Sequence, residues 1–248
     1  MPRSIRCRAA GVCALALVLS LALAATAVAK GTEASLRVVG AGGKILTEQT
    51  LKTGTISVKT DPRATCFGAG TGGSGKSVTI RGATAMGLLA QASKSTAALR
   101  PLRITDAFDF GLGVCGIGGS SVSGKSSWYL KVNHKGQQVS GDAVKLRPGD
   151  EVLWDLAPSY PYPNELVLEV PDTTTSGTPF TAHVFSYDEK GKRKPVAGAT
   201  VTGASAPTAA DGSTTVSVAG PTLLQAKHGK EIPSAVVCVA GQCPVPKS

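Results

Sequence analysis

Residues 126–156 read SSWYLKVNHKGQQVSGDAVKLRPGDEVLWDL, and both tryptophans of the chain, Trp128 and Trp154, fall within them. Trp128, Leu130 and Val132 alternate with Tyr129, Lys131 and Asn133, the period of two expected of a strand with one buried and one solvated face. Asn133–Gly136 collects turn formers. Arg147-Pro148-Gly149-Asp150 makes a second turn, in which the proline presets φ and Gly149 is free to take positive φ. Glu151–Leu156 then resumes an apolar run through Val152, Leu153 and Trp154. The stretch predicts strand, loop, turn and strand. It sets the two indoles on neighbouring strands, where they either pack in the core or form an aromatic platform for a ligand.

Working outward, the same short-strand pattern recurs. Residues 34–40, 44–52 and 55–59 read as strands, and Asp61-Pro62 breaks the chain. Thr84–Lys94 is the best helix: Thr84 is an N-cap residue, Ala85, Leu88, Leu89 and Ala92 share a face, and Lys94 suits the C-terminal end of the dipole. Leu102–Phe108 resumes as strand. Residues 109–119 hold five glycines in eleven positions, which implies irregular backbone or the close approach of another element, pinned at Cys115. Residues 157–163, APSYPYP, read as a rigid connector or as an aromatic lip carrying Tyr160 and Tyr162. Leu166–Val170 is a strand that completes the first domain. Residues 171–179 are a linker by composition. Beyond them, strands at Phe180–Tyr187, 196–201, 214–218, 223–227 and 236–239, separated by turn signals, predict a small β-sandwich.

The compartment follows from the ends and the cysteines. Arg3, Arg6 and Arg8 precede an almost continuous Ala/Leu/Val run from Val12 to Ala25, and Ala27-Val28-Ala29 is a small-x-small cleavage site. Residues 1–29 therefore read as a secretory signal. The alternative, a membrane anchor, needs roughly 20 apolar residues, and no later segment is apolar enough to span. The leader carries three arginines out of a formal net charge of +10. The remaining basic residues are scattered, apart from Lys190, Lys192, Arg193 and Lys194. Those four form a solvated loop, or else a patch drawn to acidic cell-wall polymers or anionic lipid. No nucleic-acid fold signature is present. Of six cysteines, Cys7 and Cys13 leave with the leader. Cys238 and Cys243 flank a natural small loop, which leaves Cys66 to pair with Cys115. That pair closes a loop of about 50 residues, a contribution of roughly 4 kcal/mol in the chain-entropy model. The competing metal reading lacks a suitably placed histidine, so no metal or cofactor is expected.

Two chemistry-bearing patterns dissolve on inspection. Residues 70–77, GTGGSGKS, satisfy the phosphate-loop pattern, but the segment after them reads as a strand rather than the helix that phosphate binding needs. The three histidines, His134, His183 and His228, have no serine elbow or acid partner assignable from sequence, and the carboxylates scatter through turns. The expectation is a protein without catalysis.

The Trp128…Val132-Asn133 and Gly149-Asp150-x-Val152-x-Trp154 pair, preceded by the Thr84–Leu89 helix, resembles the transcobalamin-like C-terminal domain family, a bacterial secreted domain of unknown function. The resemblance covers roughly residues 35–170, and the chain departs from the pattern at His134, where the family has glycine. It implies a small β-grasp-like sheet with one helix. In the vitamin carriers the related domain helps cap cobalamin against a separate helical domain. No such domain is seen in this sequence, so what carries over is an exposed binding face. The second domain, on the residues from Pro195 to Lys227 and over its whole length 180–248, resembles bacterial immunoglobulin-like or carboxypeptidase-regulatory-like modules, usually spacers or adhesion units. The fold expectation is thus mainly β: signal 1–29, β-grasp-like α+β domain 30–170, linker 171–179, immunoglobulin-like sandwich 180–248. The function expected is non-catalytic binding or adhesion, outside the cell or at the cell wall, toward a surface polymer, protein or small molecule. Trp128, Tyr129, Asn133, His134, Tyr160 and Tyr162 are the candidate ligand residues. The alternatives are a structural spacer, or capture of a corrinoid-like molecule.

Overall fold

Two long strands open the part of the chain that this computed structural model describes, residues 31–243; the expected leader lies outside it. β1 (Thr32–Val39) and β2 (Ile45–Thr53) pair antiparallel across the turn at Gly42 and Gly43. β3 (Ile56–Lys59) and β4 (Ser77–Ile80) form a hairpin around the glycine-serine loop. α1 (Ala85–Ser95) starts where Thr84 Oγ1 accepts the Gly87 N–H at 2.9 Å, which satisfies one of the helix's free donors. β5 (Leu102–Thr105), β6 (Gly113–Ile117) and β7 (Ser120–Ser121) make a small antiparallel sheet. β8 (Ser127–Val132), β9 (Lys135–Gly136) and β10 (Glu151–Ala157) return to the first sheet, whose order is β2-β1-β10-β8-β9. β1 runs parallel to β10 and every other pair is antiparallel. A central parallel pair flanked by hairpins, with one helix across a face, is the β-grasp arrangement. α1 buries Met86, Leu88 and Leu89 against Leu36, Val38, Leu130, Val152 and Trp154.

The second half continues with β11 (Glu165–Glu169), β12 (Phe180–Tyr187), β13 (Arg193–Pro195), β14 (Thr200–Val201), β15 (Ser213–Val216), β16 (Thr222–Leu224), β17 (Ala226–Lys227) and β18 (Val237–Val239). β12 is the hub of one layer, paired with β11, β13 and β15. The pairs β14–β17 and β16–β18 form the other layer. Leu166, Val184, Val201, Val216, Leu224 and Val239 fill the space between, as in an immunoglobulin-like sandwich. The chain is therefore mainly β with a single α-helix among the described residues.

One expectation changes. Leu166–Val170 does not complete the first sheet; β11 pairs with β12, so residues 171–179 join two strands of one sheet. Thr174 and Gly177 fasten that loop to Ala240 and Val218. The crossing between the halves is Pro158–Asn164, the tyrosine-proline segment. Residues from Gly31 onward cluster as one compact unit.

The strand Ser127–Val132 is not half-solvated either. Its Trp128/Leu130/Val132 face meets the helix-side core. Its other face is covered by the second half, and Lys131 is only 1% exposed. The register places Arg37, Leu153 and Lys131 in one row across the sheet, with Val39, Asp155 and Tyr129 in the next. A lysine is buried only when paired, and here the partners come from the second half. The Lys131 ammonium donates to the Tyr187 carbonyl at 3.0 Å and lies 4.0 Å from Glu165 Oε2. Arg37 pairs with Glu165 Oε1 and donates to the Pro233 carbonyl at 2.8 Å. His134 Nδ1 lies 3.2 Å from Glu165 Oε2, and its ring stacks on Tyr187. Burial pushes the Glu165 carboxyl up, but the contact with His134 and the charges of Arg37 and Lys131 outweigh it, so its pKa falls below the ordinary value. Burial lowers the Lys131 pKa against the pull of Glu165. Burial raises Asp155 to about 7, against the opposing charges of Arg37 and Lys131.

Two outcomes follow from this lattice. Glu165→Gln leaves Lys131 and Arg37 without their shared counter-charge, and is expected to cost roughly 3–5 kcal/mol, read as an earlier urea midpoint. A shift no larger than that of an exposed substitution would show that the lattice does not hold the halves together. Asp155 acts with the opposite sign. Its folded pKa is raised, so the folded state holds the proton more tightly, and its penalty is complete above pH 7 and relieved as pH falls toward the unfolded value near 4. Asp155→Asn should therefore raise the melting temperature relative to the parent at pH 8, by an amount bounded on the order of 4 kcal/mol. The difference should shrink by pH 5.

Candidate functional site

The disulfide Cys66–Cys115 ties the loop after β3 to β6, and Cys238–Cys243 closes the second expected pair. The first of these creates a wall. Phe67 meets Phe108 edge-on at 5.2 Å, and Phe108 stacks on Phe110 at 4.8 Å. Phe67 and Phe110 are 49% and 70% exposed. Gly113 lets the wall close: a Cβ there would sit 2.9 Å from the Phe67 ring. The opposite wall is residues 137–141. Gly141 is needed there, because a Cβ would sit 2.7 Å from the Trp154 ring. Asp142 links the two walls, accepting from the Leu112 N–H at 3.0 Å and from the Ser140 hydroxyl.

Between the walls lies a groove of about 430 Å³, floored by Trp128, Tyr129, Leu130 and Trp154. That volume is in the range of small-ligand sites. Tyr162 borders the groove and stacks on Tyr129 at 3.9 Å, and Tyr160 meets Tyr162 edge-on at 5.6 Å. Trp154 is buried and Trp128 half-buried. Among the described residues, no Asp, Glu, Lys, Arg or His lines the groove. Burial raises the pKa of the Tyr129 phenol, with Glu189 adding to the effect. Gln137 and Gln138 each donate one amide N–H, to the Lys135 carbonyl and the Glu189 carboxylate respectively, each at 2.9 Å. Their side-chain carbonyl oxygens remain as acceptors on the rim.

The structure divides the six candidate ligand residues. Trp128, Tyr129 and Tyr162 line the groove, with Tyr160 beside them. Asn133 and His134 lie elsewhere, in a two-residue turn joining β8 to β9, with φ of 49° and 67°, as a type I′ hairpin requires. Both ends of the Asn133 amide brace that turn, donating to Asp150 and accepting from the Glu151 N–H, each at 2.9 Å. His134 borders a second cleft of about 330 Å³ between the halves, with Arg37, Glu48, Glu151 and Glu165. The charges of that cleft are largely committed to one another. Phe67, Phe108 and Phe110 were missed as site residues. The signal for them was the Cys66–Cys115 pairing, which draws Phe67 toward the glycine-dense segment that carries Phe110.

The other patterns resolve as local structure. In the glycine-serine loop the Asp106 carboxylate accepts from the Ser74 N–H and hydroxyl, each at 2.6 Å. Arg193 of the basic loop lies 3.5 Å over the Phe185 ring and pairs with Glu169 at 2.7 Å. His228 has an acid partner, Glu231, at 2.9 Å, and no hydroxyl or thiol is hydrogen-bonded to either His134 or His228. Among the described residues no helix is long and apolar enough to cross a membrane, and no cluster of potential metal ligands forms. Comparison with family models, curated proteins and solved structures finds no match for this chain.

The floor of the groove can be probed directly. With Trp154→Phe, the remaining Trp128 should be quenched by acrylamide several-fold more strongly than the remaining Trp154 in Trp128→Phe. Equal quenching would mean that Trp128 does not face the groove.

Proposed function

We propose that this chain is an exported, non-catalytic binding protein that holds an uncharged ligand in the aromatic groove. The carrying observation is a groove with no ionisable wall residue but tyrosine, on a chain whose formal net charge of +10 stays strongly positive once the three leader arginines are removed. Anionic ligands are drawn to clustered basic side chains, and none stands here. Ligand sites of this kind are largely apolar and aromatic, with a few polar groups fixing orientation. The resemblance to the transcobalamin-like family, with its exposed binding face, supports the same reading. Export is supported by the leader pattern together with two disulfides. The joint between the halves also suits a rigid spacer, a role that would leave the groove's exposed rings free to be replaced.

A thermal-shift screen of uncharged and anionic compounds, cyanocobalamin among them, tests this. At least one uncharged compound should raise the melting temperature, and Phe110→Ala or Tyr162→Ala should remove that rise. A perturbed cyanocobalamin spectrum that Phe110→Ala abolishes would assign the groove to a corrinoid. Hits that are all anionic, weaken with salt and ignore both variants would move the site to the Lys190–Lys194 loop.

A further inference from the structure

We infer that the groove takes a neutral oligosaccharide chain; this rests on the binding role proposed above and names its ligand class. Four rings border the groove: Phe67 and Phe110 are exposed on one wall, and Tyr162 beside the floor and Trp128 on it are half-buried. A pyranose ring has a flat face of C–H bonds, which settles on the negative face of an aromatic ring, while its hydroxyls project at the rim. One or two stacking rings suit a single small molecule. Rings spread along a groove open to solvent suit a chain of sugars, each offering the same face in turn.

The rim meets the hydroxyls. Gln137 and Gln138 each have one amide N–H engaged, so each offers a carbonyl oxygen and a second N–H to sugar hydroxyls, which both donate and accept. Trp128 adds main-chain groups. The Leu130 carbonyl accepts from the Gln137 N–H at 2.9 Å. In an antiparallel ladder, residues two apart face the same way, so the N–H and C=O of Trp128 also point away from β10, toward the groove.

The same geometry disfavours an extended peptide. Adding a strand needs a run of free main-chain groups along an edge. Here the Leu130 carbonyl is taken by Gln137, and the Ser126 N–H is taken by the Ser123 carbonyl. These bonds interrupt the edge on both sides of Trp128 and leave too short a run for strand addition. The absence of charged wall residues disfavours acidic glycans and phosphorylated polymers, which a basic protein would otherwise hold through its lysines.

The test is titration of the full chain with cellohexaose, chitohexaose, xylohexaose, mannohexaose, laminarihexaose and maltohexaose, followed by tryptophan fluorescence and heat. At least one should bind saturably, with an affinity that high salt leaves unchanged and that hexagalacturonate does not match. Phe110→Ala should weaken that binding roughly tenfold; Phe110 is 70% exposed, so its loss leaves folding intact. Trp128→Ala should weaken it further. If no hexaose binds but a proline-rich peptide does, in a manner that Phe110→Ala abolishes, the glycan inference falls and the groove's binding role stands. If no uncharged probe binds and Phe110→Ala alters nothing, both fall.

Discussion

A lysine ammonium with almost no access to solvent governs how the two halves of this chain meet. Lys131 sits mid-strand on a sheet face that is covered by the second half. Removing such a charge from water costs several kcal/mol unless charges and carbonyls replace the lost hydration. Those replacements come from elements far along the chain: Glu165 on β11 and the Tyr187 carbonyl at the end of β12. Arg37 shares Glu165 and also reaches the Pro233 carbonyl. The lattice therefore works only when sheet and sandwich are in register. Two separately folding modules on a flexible linker would leave Lys131 and Arg37 facing water, where their cost vanishes and so does their role. Asp155 shows the limit of the arrangement. It shares the lattice's cations, yet its burial outweighs them.

The groove is built on the opposite principle. Where the joint concentrates charge and buries it, the groove excludes charge and exposes aromatic surface. An exposed apolar patch carries an aggregation risk and is retained where it has a use. Here the patch is held open by strong local constraints: a disulfide behind Phe67, and glycines where Phe67 and Trp154 press on the backbone. Asp142 ties the two walls to each other, through the Leu112 N–H and the Ser140 hydroxyl.

Much of the first half was legible because its signals are local. Thr84 caps α1 as its residue type suggests, Gly149 takes positive φ in its turn, and the apolar face of α1 and the apolar run of β10 are buried. Both disulfides follow from cysteine spacing. What was not legible depends on partners distant in sequence. Lys131 reads as a solvent-facing residue because an unpaired lysine would be one, and nothing near it in sequence announces Glu165. The Leu166–Val170 segment is a strand by any local criterion, but which sheet it joins is decided by its register with β12. The candidate site split for the same reason. Asn133 and His134 neighbour the groove strand in sequence, yet the hairpin turn carries them to the joint, while Phe67 and Phe110 reach the groove through a disulfide and an irregular loop.

Joint and groove meet at Tyr129. It lies on the same sheet face as Lys131, so one side of its ring belongs to the buried interface, while its other contacts form the groove floor and the stack with Tyr162. Gly136 is where the phenol tip packs, at a position no side chain could share. From the sandwich, Glu189 then accepts the Gln138 amide through its carboxylate and the Gly136 N–H through its main-chain carbonyl, each at 2.9 Å. One wall of a groove whose walls and floor come from the β-grasp half is thus fastened by a hairpin of the other half. The crossing segment Pro158–Asn164 contributes Tyr162 to the same site. The second half is therefore part of the binding surface's support, and the lattice around Lys131 holds that support in place.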